Sequence, residues 1–129
     1  MKILAEISVG ELYDKITILN IKLKKINDPN KLKNIKIELD ALVEQSNKLI
    51  LKDDEILRKN IQKLQDINEE LWDIENAKRE CEANKEFGEI FIKISRDVHF
   101  KNDIRASIKK EINLLSNSKI TEEKEYSKY

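Results

Sequence analysis

An apolar ladder with helical spacing is the feature that most constrains the fold of this chain. Its first rungs are Leu12, Ile16, Leu19, Leu23 and Ile26, separated by steps of four and three residues. Such steps place every rung on one face of an α-helix, and that face has to be buried against other helices. Similar ladders recur in three later segments, so the sequence predicts an all-α fold.

Capping residues and one proline set the limits of the first two helices. Ser8 and Glu11 have the spacing of a capping box, which predicts a first helix over residues 9–26. Residues 2–7 alternate apolar and polar side chains and are expected to form an extended arm across the bundle. Asp28 is placed to cap the second helix and Pro29 to begin it, because the first N–H groups of a helix have no partner within the helix and proline lacks this group.

The second pair of helices is longer than the first pair. Asp53 and Asp54 are placed to cap a third helix that extends to Asn84. Residues 89–115 form a fourth helix, with Ile104 among its core rungs and a kink at residues 102–103. Short connections make each pair an antiparallel hairpin, so we predict one domain over residues 1–116: an antiparallel helical bundle of two unequal helical hairpins with a short extended N-terminal arm. Residues 117–129 are polar and are expected to form a flexible tail.

Unequal hairpins leave apolar rungs of the longer hairpin without cover inside the domain. A second copy of the chain is one way to cover them, which predicts a homo-oligomer with coiled-coil-like packing. Trp72 is the single tryptophan, and we expect it at the edge of the core or as an anchor of this interface.

Composition argues against several classes of partner. The 25 basic residues balance the 25 acidic ones, so no net field attracts nucleic acid or an anionic membrane. No apolar run approaches the roughly 20 residues that span a bilayer, and the first residues do not resemble a signal peptide. Cys81 is the single cysteine, and its position on a helical rung predicts a buried, unreactive thiol. We therefore predict a cytoplasmic protein.

Two Glu-x-x-Asp motifs are the best candidates for a metal site. Glu11 with Asp14, and Glu70 with Asp73, each lie one turn apart on one helix face. If the two helices are neighbours, the four carboxylates converge, and such a group holds Mg²⁺ against substrate phosphates. Residues 69–73 resemble an acidic segment of the all-helical nucleoside triphosphate pyrophosphohydrolases, although the full double-acidic repeat of that family is absent. The alternative for these carboxylates is a solvated helix face.

A polar stretch of the fourth helix is the second candidate site. Arg96, His99, Asp103 and Arg105 lie within ten residues. Together with Arg79 they can bind a phosphate, a carboxylate or a partner protein, because a guanidinium group makes bidentate contacts with such anions. Alternatively, the same residues form an ion-pair network that fixes the kink, and His99 and Asp103 make a surface hydrogen bond.

Three stretches resemble a known family: residues 1–23 (MKILAEISVGELYDKITILNIKL), residues 70–75 (ELWDIE) and residues 87–112. They are similar to a family of small helical bacterial proteins of about this length whose function is uncharacterised. The resemblance implies a complete domain, and no catalytic residue carries over from it. It directs attention to residues 96–105 and to Ser8, Gly10, Glu11, Asp14 and Lys15.

These observations favour a small soluble module that has no cofactor and serves protein interaction or assembly. The partner is then a second copy of the chain or another protein, and not nucleic acid or a membrane. The alternative is a Mg²⁺-dependent helical hydrolase that acts on phosphorylated compounds.

Overall fold

Four α-helices make up the fold. The computed structural model of the protein describes residues 1–49 and 54–129. The helices are α1 (Val9–Lys25), α2 (Pro29–Asn47), α3 (Glu55–Ala83) and α4 (Glu89–Leu115). Because these two ranges contain no strand, the all-α prediction is confirmed. Asp53, one of the two residues expected to cap α3, lies outside the described residues.

The first three helices begin at residues whose side chains cap them. Ser8 Oγ accepts a hydrogen bond from the Glu11 N–H at 3.0 Å, and the carboxylates of Asp28 and Asp54 accept bonds from amides in their own first turns. The predicted capping box at Ser8 is only half formed. The Glu11 carboxylate binds Lys109 Nζ at 2.6 Å instead of turning back to the amide of Ser8.

α1 is the central helix. It packs against each of the other three helices, whereas α2 packs only against α1 among the described elements. One apolar cluster joins α1 to α2, and a second cluster joins α3 to α4. The predicted bundle of two hairpins is confirmed, with α1, α3 and α4 forming a three-helix core and α2 lying on the outer side of α1.

The α3–α4 hairpin extends well beyond α1. At 1.5 Å per residue, the 17 residues of α1 span about 26 Å and the 29 residues of α3 about 44 Å. One end of α1 contacts Asn113 through Gly10, and the other end reaches Asp73 through Lys25. We name the part of the hairpin beyond α1, residues 73–98, the distal hairpin. Cys81 is its one buried residue, which confirms the expected burial of this thiol.

The segments outside the helices differ from expectation in one respect. Residues 1–7 are all exposed, so the arm does not lie across the bundle, and the first buried side chain is that of Ser8. Residues 119–129 have no regular secondary structure and return along α4, and the flexibility of the tail stays a prediction.

α4 continues as one helix through residues 102–103, where the sequence predicted a kink. Within the described ranges, no helix has the length and apolarity needed to cross a bilayer.

Candidate functional site

Polar side chains are buried where α1, α3 and α4 meet. We name this group the polar core: Asp14 and Thr17 of α1, Asn68 of α3, and Arg105 and Lys109 of α4. The exposed fraction is 1% for Asp14, 3% for Thr17 and 5% for Asn68. Since burial of polar groups is unfavourable unless they bind one another, the stability of this group depends on the contacts among its members.

The Asp14 carboxylate is the centre of the polar core. Arg105 binds it at two points, with Nε donating to Oδ1 at 3.0 Å and Nη2 donating to Oδ2. Asn68 Nδ2 donates to Asp14 Oδ1 and to Thr17 Oγ1, both at 2.9 Å. Lys109 Nζ lies 3.5 Å from Asp14 Oδ2. The two-point contact fixes the guanidinium plane as well as its distance from the carboxylate.

The contacts keep the central groups charged. Burial alone would raise the pKa of Asp14, but hydrogen bonds from Arg105 and Asn68 and the nearby positive charges outweigh burial and lower this pKa. The hydrogen bond to Asp14 raises the pKa of Arg105. Burial would lower the pKa of Lys109, but the bond to Glu11 and the nearby carboxylates raise it. A carboxylate whose pKa is lowered below its ordinary value, and whose oxygens are bound by basic side chains, is poorly suited to general acid catalysis near neutral pH.

The C-terminal tail closes the outer end of the polar core. Glu122 accepts a hydrogen bond from Ser8 Oγ at 2.9 Å, and its other carboxylate oxygen lies 3.3 Å from Lys109 Nζ. Lys109 also donates to Glu11 Oε2 at 2.6 Å. The tail thereby adds a negative charge at the N-terminal end of α1, where the helix dipole favours an anion.

Gly10 allows α1 and α4 to approach closely at this end. Its N–H donates to Asn113 Oδ1 at 2.6 Å. A Cβ at Gly10 would lie 2.6 Å from the Lys109 carbonyl oxygen and 2.9 Å from Asn113 Oδ1, closer than ordinary contacts allow. Of the residues to which the family resemblance directed attention, Ser8, Gly10, Glu11 and Asp14 thus lie in or beside the polar core. Lys15 is at its edge, 3.5 Å from Glu11 Oε1.

The four carboxylates considered as magnesium ligands do not form one group: Glu11 and Asp14 both face Lys109, whereas Glu70 and Asp73 pair with other lysines. Glu11 and Asp14 are bound by basic side chains of α4. Glu70 pairs with Lys101 at 2.9 Å, and the side chain of Asp73 is mostly exposed. Among residues 1–49 and 54–129, no group of three or more His, Cys, Asp or Glu side chains is arranged to hold a metal ion. Magnesium binding itself stays a prediction.

The three arginines considered for a phosphate or partner site have different surroundings. Arg105 lies in the polar core, where Asp14 holds its guanidinium group. Arg79 is on the exposed side of α3, 3.0 Å from Glu75 one turn away. Arg96 is exposed on α4.

His99 and Asp103 lie together beneath the end of the tail. Asp103 accepts hydrogen bonds from Lys124 Nζ at 2.7 Å and from the Tyr129 hydroxyl, and these bonds lower the pKa of its carboxyl group. The ring centroids of His99 and Tyr129 are 5.1 Å apart, and Phe100 contacts the same tyrosine edge-on. These two residues therefore bind the chain's own C-terminus.

The polar core was missed in the sequence because one rung of the ladder predicted for α4 is wrong, although Ile108, Ile112 and Leu115 lie in the core as expected. Ile104, predicted as a core rung, is 46% exposed, and Arg105 points inward in its place. The signal that marks the polar side of α4 is a set of polar residues at helical spacing: Asn102, Arg105, Lys109 and Asn113. Trp72 is partly buried and lines a cleft beside Arg105, and its role as an interface anchor stays a prediction.

The whole chain, residues 1–129, matches the sequence model described as "Family of unknown function (DUF6165)". This match confirms the resemblance to an uncharacterised family. No curated protein and no solved structure matches the chain.

Proposed function

Because the chain belongs to a family of unknown function (DUF6165), we propose its function from geometry: it is an assembly module that pairs with a second copy of itself through the distal hairpin. The single observation that carries the proposal is the apolar surface that this hairpin leaves uncovered.

The distal hairpin has apolar side chains on both helices and almost no core. Ile74 of α3, and Phe91 and Ile94 of α4, are only partly buried. Phe87 is 51% exposed and Ile90 is 69% exposed. Two helices alone cover one side of each other, so apolar side chains at the edges of their seam face water. Nearer the other end of the hairpin, α1 covers the corresponding seam.

The accessible surface of the chain is larger than a compact monomer of its mass should expose, which supports an interface with a partner. The accessible surface of the chain is 9831 Å², whereas a compact monomer of 15.2 kDa is expected to expose about 7,100 Å². The extended arm and tail account for part of the excess of about 2,700 Å². A standard interface buries roughly 800 Å² on each partner, which this excess can supply.

A second copy suits this surface better than a strongly charged partner. The net charge of the chain is zero, and the distal hairpin carries residues of both signs, such as Glu75 and Arg79. Two distal hairpins packed side by side form a four-helix arrangement, in which the same surface of each copy is buried about a two-fold axis.

Sedimentation equilibrium tests the proposal. We expect the wild-type chain to have twice its monomer mass, and Ile90→Glu to weaken the dimer at least about tenfold, because it places a charge in an apolar interface. Ile90 is mostly exposed in one protomer, so this change leaves the fold intact. Ile37→Glu on α2 is the matched control, since Ile37 is 61% exposed and lies outside the distal hairpin. A monomeric wild-type chain, or equal effects of the two substitutions, would refute the proposal.

The same preparations test the Mg²⁺-dependent hydrolase. A thermal unfolding scan with Mg²⁺ and nucleoside triphosphates would detect a ligand, since binding to the folded state raises Tm. We expect no metal-dependent rise, because the Glu11 and Asp14 carboxylates are already neutralised by basic side chains. A rise that Glu70→Gln abolishes would favour the hydrolase.

A cytoplasmic location is supported by Cys81, the single cysteine of the sequence, because its buried thiol has no partner for a disulfide within the chain.

A further inference from the structure

A cleft lies between α1, α3 and α4, where the polar core meets the start of the distal hairpin. Its volume is about 270 Å³. The residues of α4 that border it are Val98, Asn102 and Arg105, so no leucine or isoleucine side chain of α4 lines the space at this level. We name this space the mid-bundle cleft.

One wall of the mid-bundle cleft is apolar and includes a flat surface. Ile21 of α1 and Leu71 and Trp72 of α3 form this wall. Trp72 is only partly buried and borders the cleft, so part of this residue is available to a ligand there. An aromatic ring is the ligand group that such a wall favours, because ring pairs gain energy beyond the area that they bury.

The other wall offers hydrogen-bonding groups, and one of them, Arg105, is fixed in place. Arg105 uses Nε and Nη2 to bind Asp14, and among the described residues no acceptor binds its Nη1. The side-chain amide of Asn102 likewise has no hydrogen bond to the described part of the chain. Arg105 is immobilised by its two-point contact, so it can bind a ligand with little further loss of side-chain freedom.

The charges around the cleft favour a neutral ligand. The positive charge of Arg105 is balanced by the Asp14 carboxylate, and Glu75 at the edge of the cleft is paired with Arg79. An anion gains little from a guanidinium that is already neutralised, and it is repelled by the carboxylates nearby. A cation finds no unpaired carboxylate among these residues.

We propose that the mid-bundle cleft binds a small neutral aromatic compound that carries one amide-like group. The ring lies against Trp72, and the polar group receives a hydrogen bond from Arg105 Nη1 and bonds with the amide of Asn102. Drug-sized ligands occupy pockets of about 300–1,000 Å³, so this cleft suits a single ring with one substituent. The proposal does not depend on dimer formation.

NMR titration with benzamide is the test, because Trp72 is the single tryptophan and its indole N–H gives one assignable peak. We expect a saturable shift of this peak with a dissociation constant on the order of 1 mM, as is usual for so small a compound. Benzoate and benzamidine, which share the ring but carry a negative and a positive charge, should bind at least about fivefold more weakly.

Two substitutions in the cleft and one outside it complete the experiment. Asn102→Leu removes the amide, and Val98→Phe fills the space, so each should weaken benzamide binding at least about tenfold. Asn34→Leu is the matched control, since Asn34 is exposed on α2, and it should leave binding unchanged. The proposal is overturned if the Trp72 peak does not saturate, if the three probes bind equally, or if both cleft substitutions leave the affinity unchanged.

Discussion

Removal of Arg105 is the perturbation whose effect on stability the structure defines best. Arg105→Leu keeps a helix-favouring residue on α4 but removes both hydrogen bonds to Asp14, whose exposed fraction is 1%. Breaking a buried ion pair by deleting one partner destabilises a protein by about 3–5 kcal/mol. Lys109 Nζ, 3.5 Å from Asp14 Oδ2, and the Asn68 amide remain, so we expect a loss near the lower limit, about 3 kcal/mol. For a chain of this length, that corresponds to a fall in Tm of roughly 10 °C.

Urea unfolding at pH 7, followed by circular dichroism at 222 nm, measures this loss. Arg79→Leu is the matched control, because its pair with Glu75 is largely exposed and should change the free energy of unfolding by less than about 1 kcal/mol. Asp14→Asn in the Arg105→Leu background should restore part of the stability, since it removes the unpaired charge. A loss below about 1 kcal/mol for Arg105→Leu, or additive effects of the two substitutions, would contradict the reasoning.

The pH dependence of the same pair has a definite sign. The pKa of Asp14 is lowered in the folded protein below its ordinary value of 3.8. Its contribution to stability is therefore present above that value and is lost as the pH falls through the folded-state pKa. In Arg105→Leu the main cause of the lowering is absent, so the difference in stability between wild type and variant should narrow as the pH is reduced below about 4. Urea titrations at a series of pH values measure this difference, and a constant gap would argue against Asp14 as the group responsible.

Three further predictions concern the backbone, a helix cap and the tail. Gly10→Ala should lower the free energy of unfolding by about 1–3 kcal/mol, because its Cβ would meet the backbone of α4, whereas Gly88→Ala, with nothing within 4 Å, should be tolerated. Chemical denaturation of the two variants compares them directly. Asp28→Ala removes the N-cap of α2 and should cost about 1 kcal/mol in the same assay. Deletion of residues 121–129 should leave Tm nearly unchanged and should increase amide exchange at the N-terminal end of α1, as mass spectrometry would show.

The helices were predictable because their signals are local. Apolar spacing and capping residues such as Ser8 and Asp28 act within a few neighbours of the chain, so the structure reproduces them closely. The polar core was not predictable in this way. Asp14 and Arg105 are 91 residues apart in the chain, and the apolar spacing of α4 places Ile104 inward at the level where the structure has Arg105 instead. A charged residue such as Arg105 is expected to be exposed when only the sequence is known, because the buried partner that neutralises it lies far away in the chain.

The attachment of α2 to α1 alone has a consequence for folding cooperativity. α2 buries only Ile35 and Leu39, and it packs on no other described helix. Detachment of α2 therefore leaves the three-helix core of α1, α3 and α4 paired, whereas detachment of α1 separates the two apolar clusters from each other. The molecule has two levels of opening, with α2 as the less protected unit and α1 as the helix on which the unity of the domain depends.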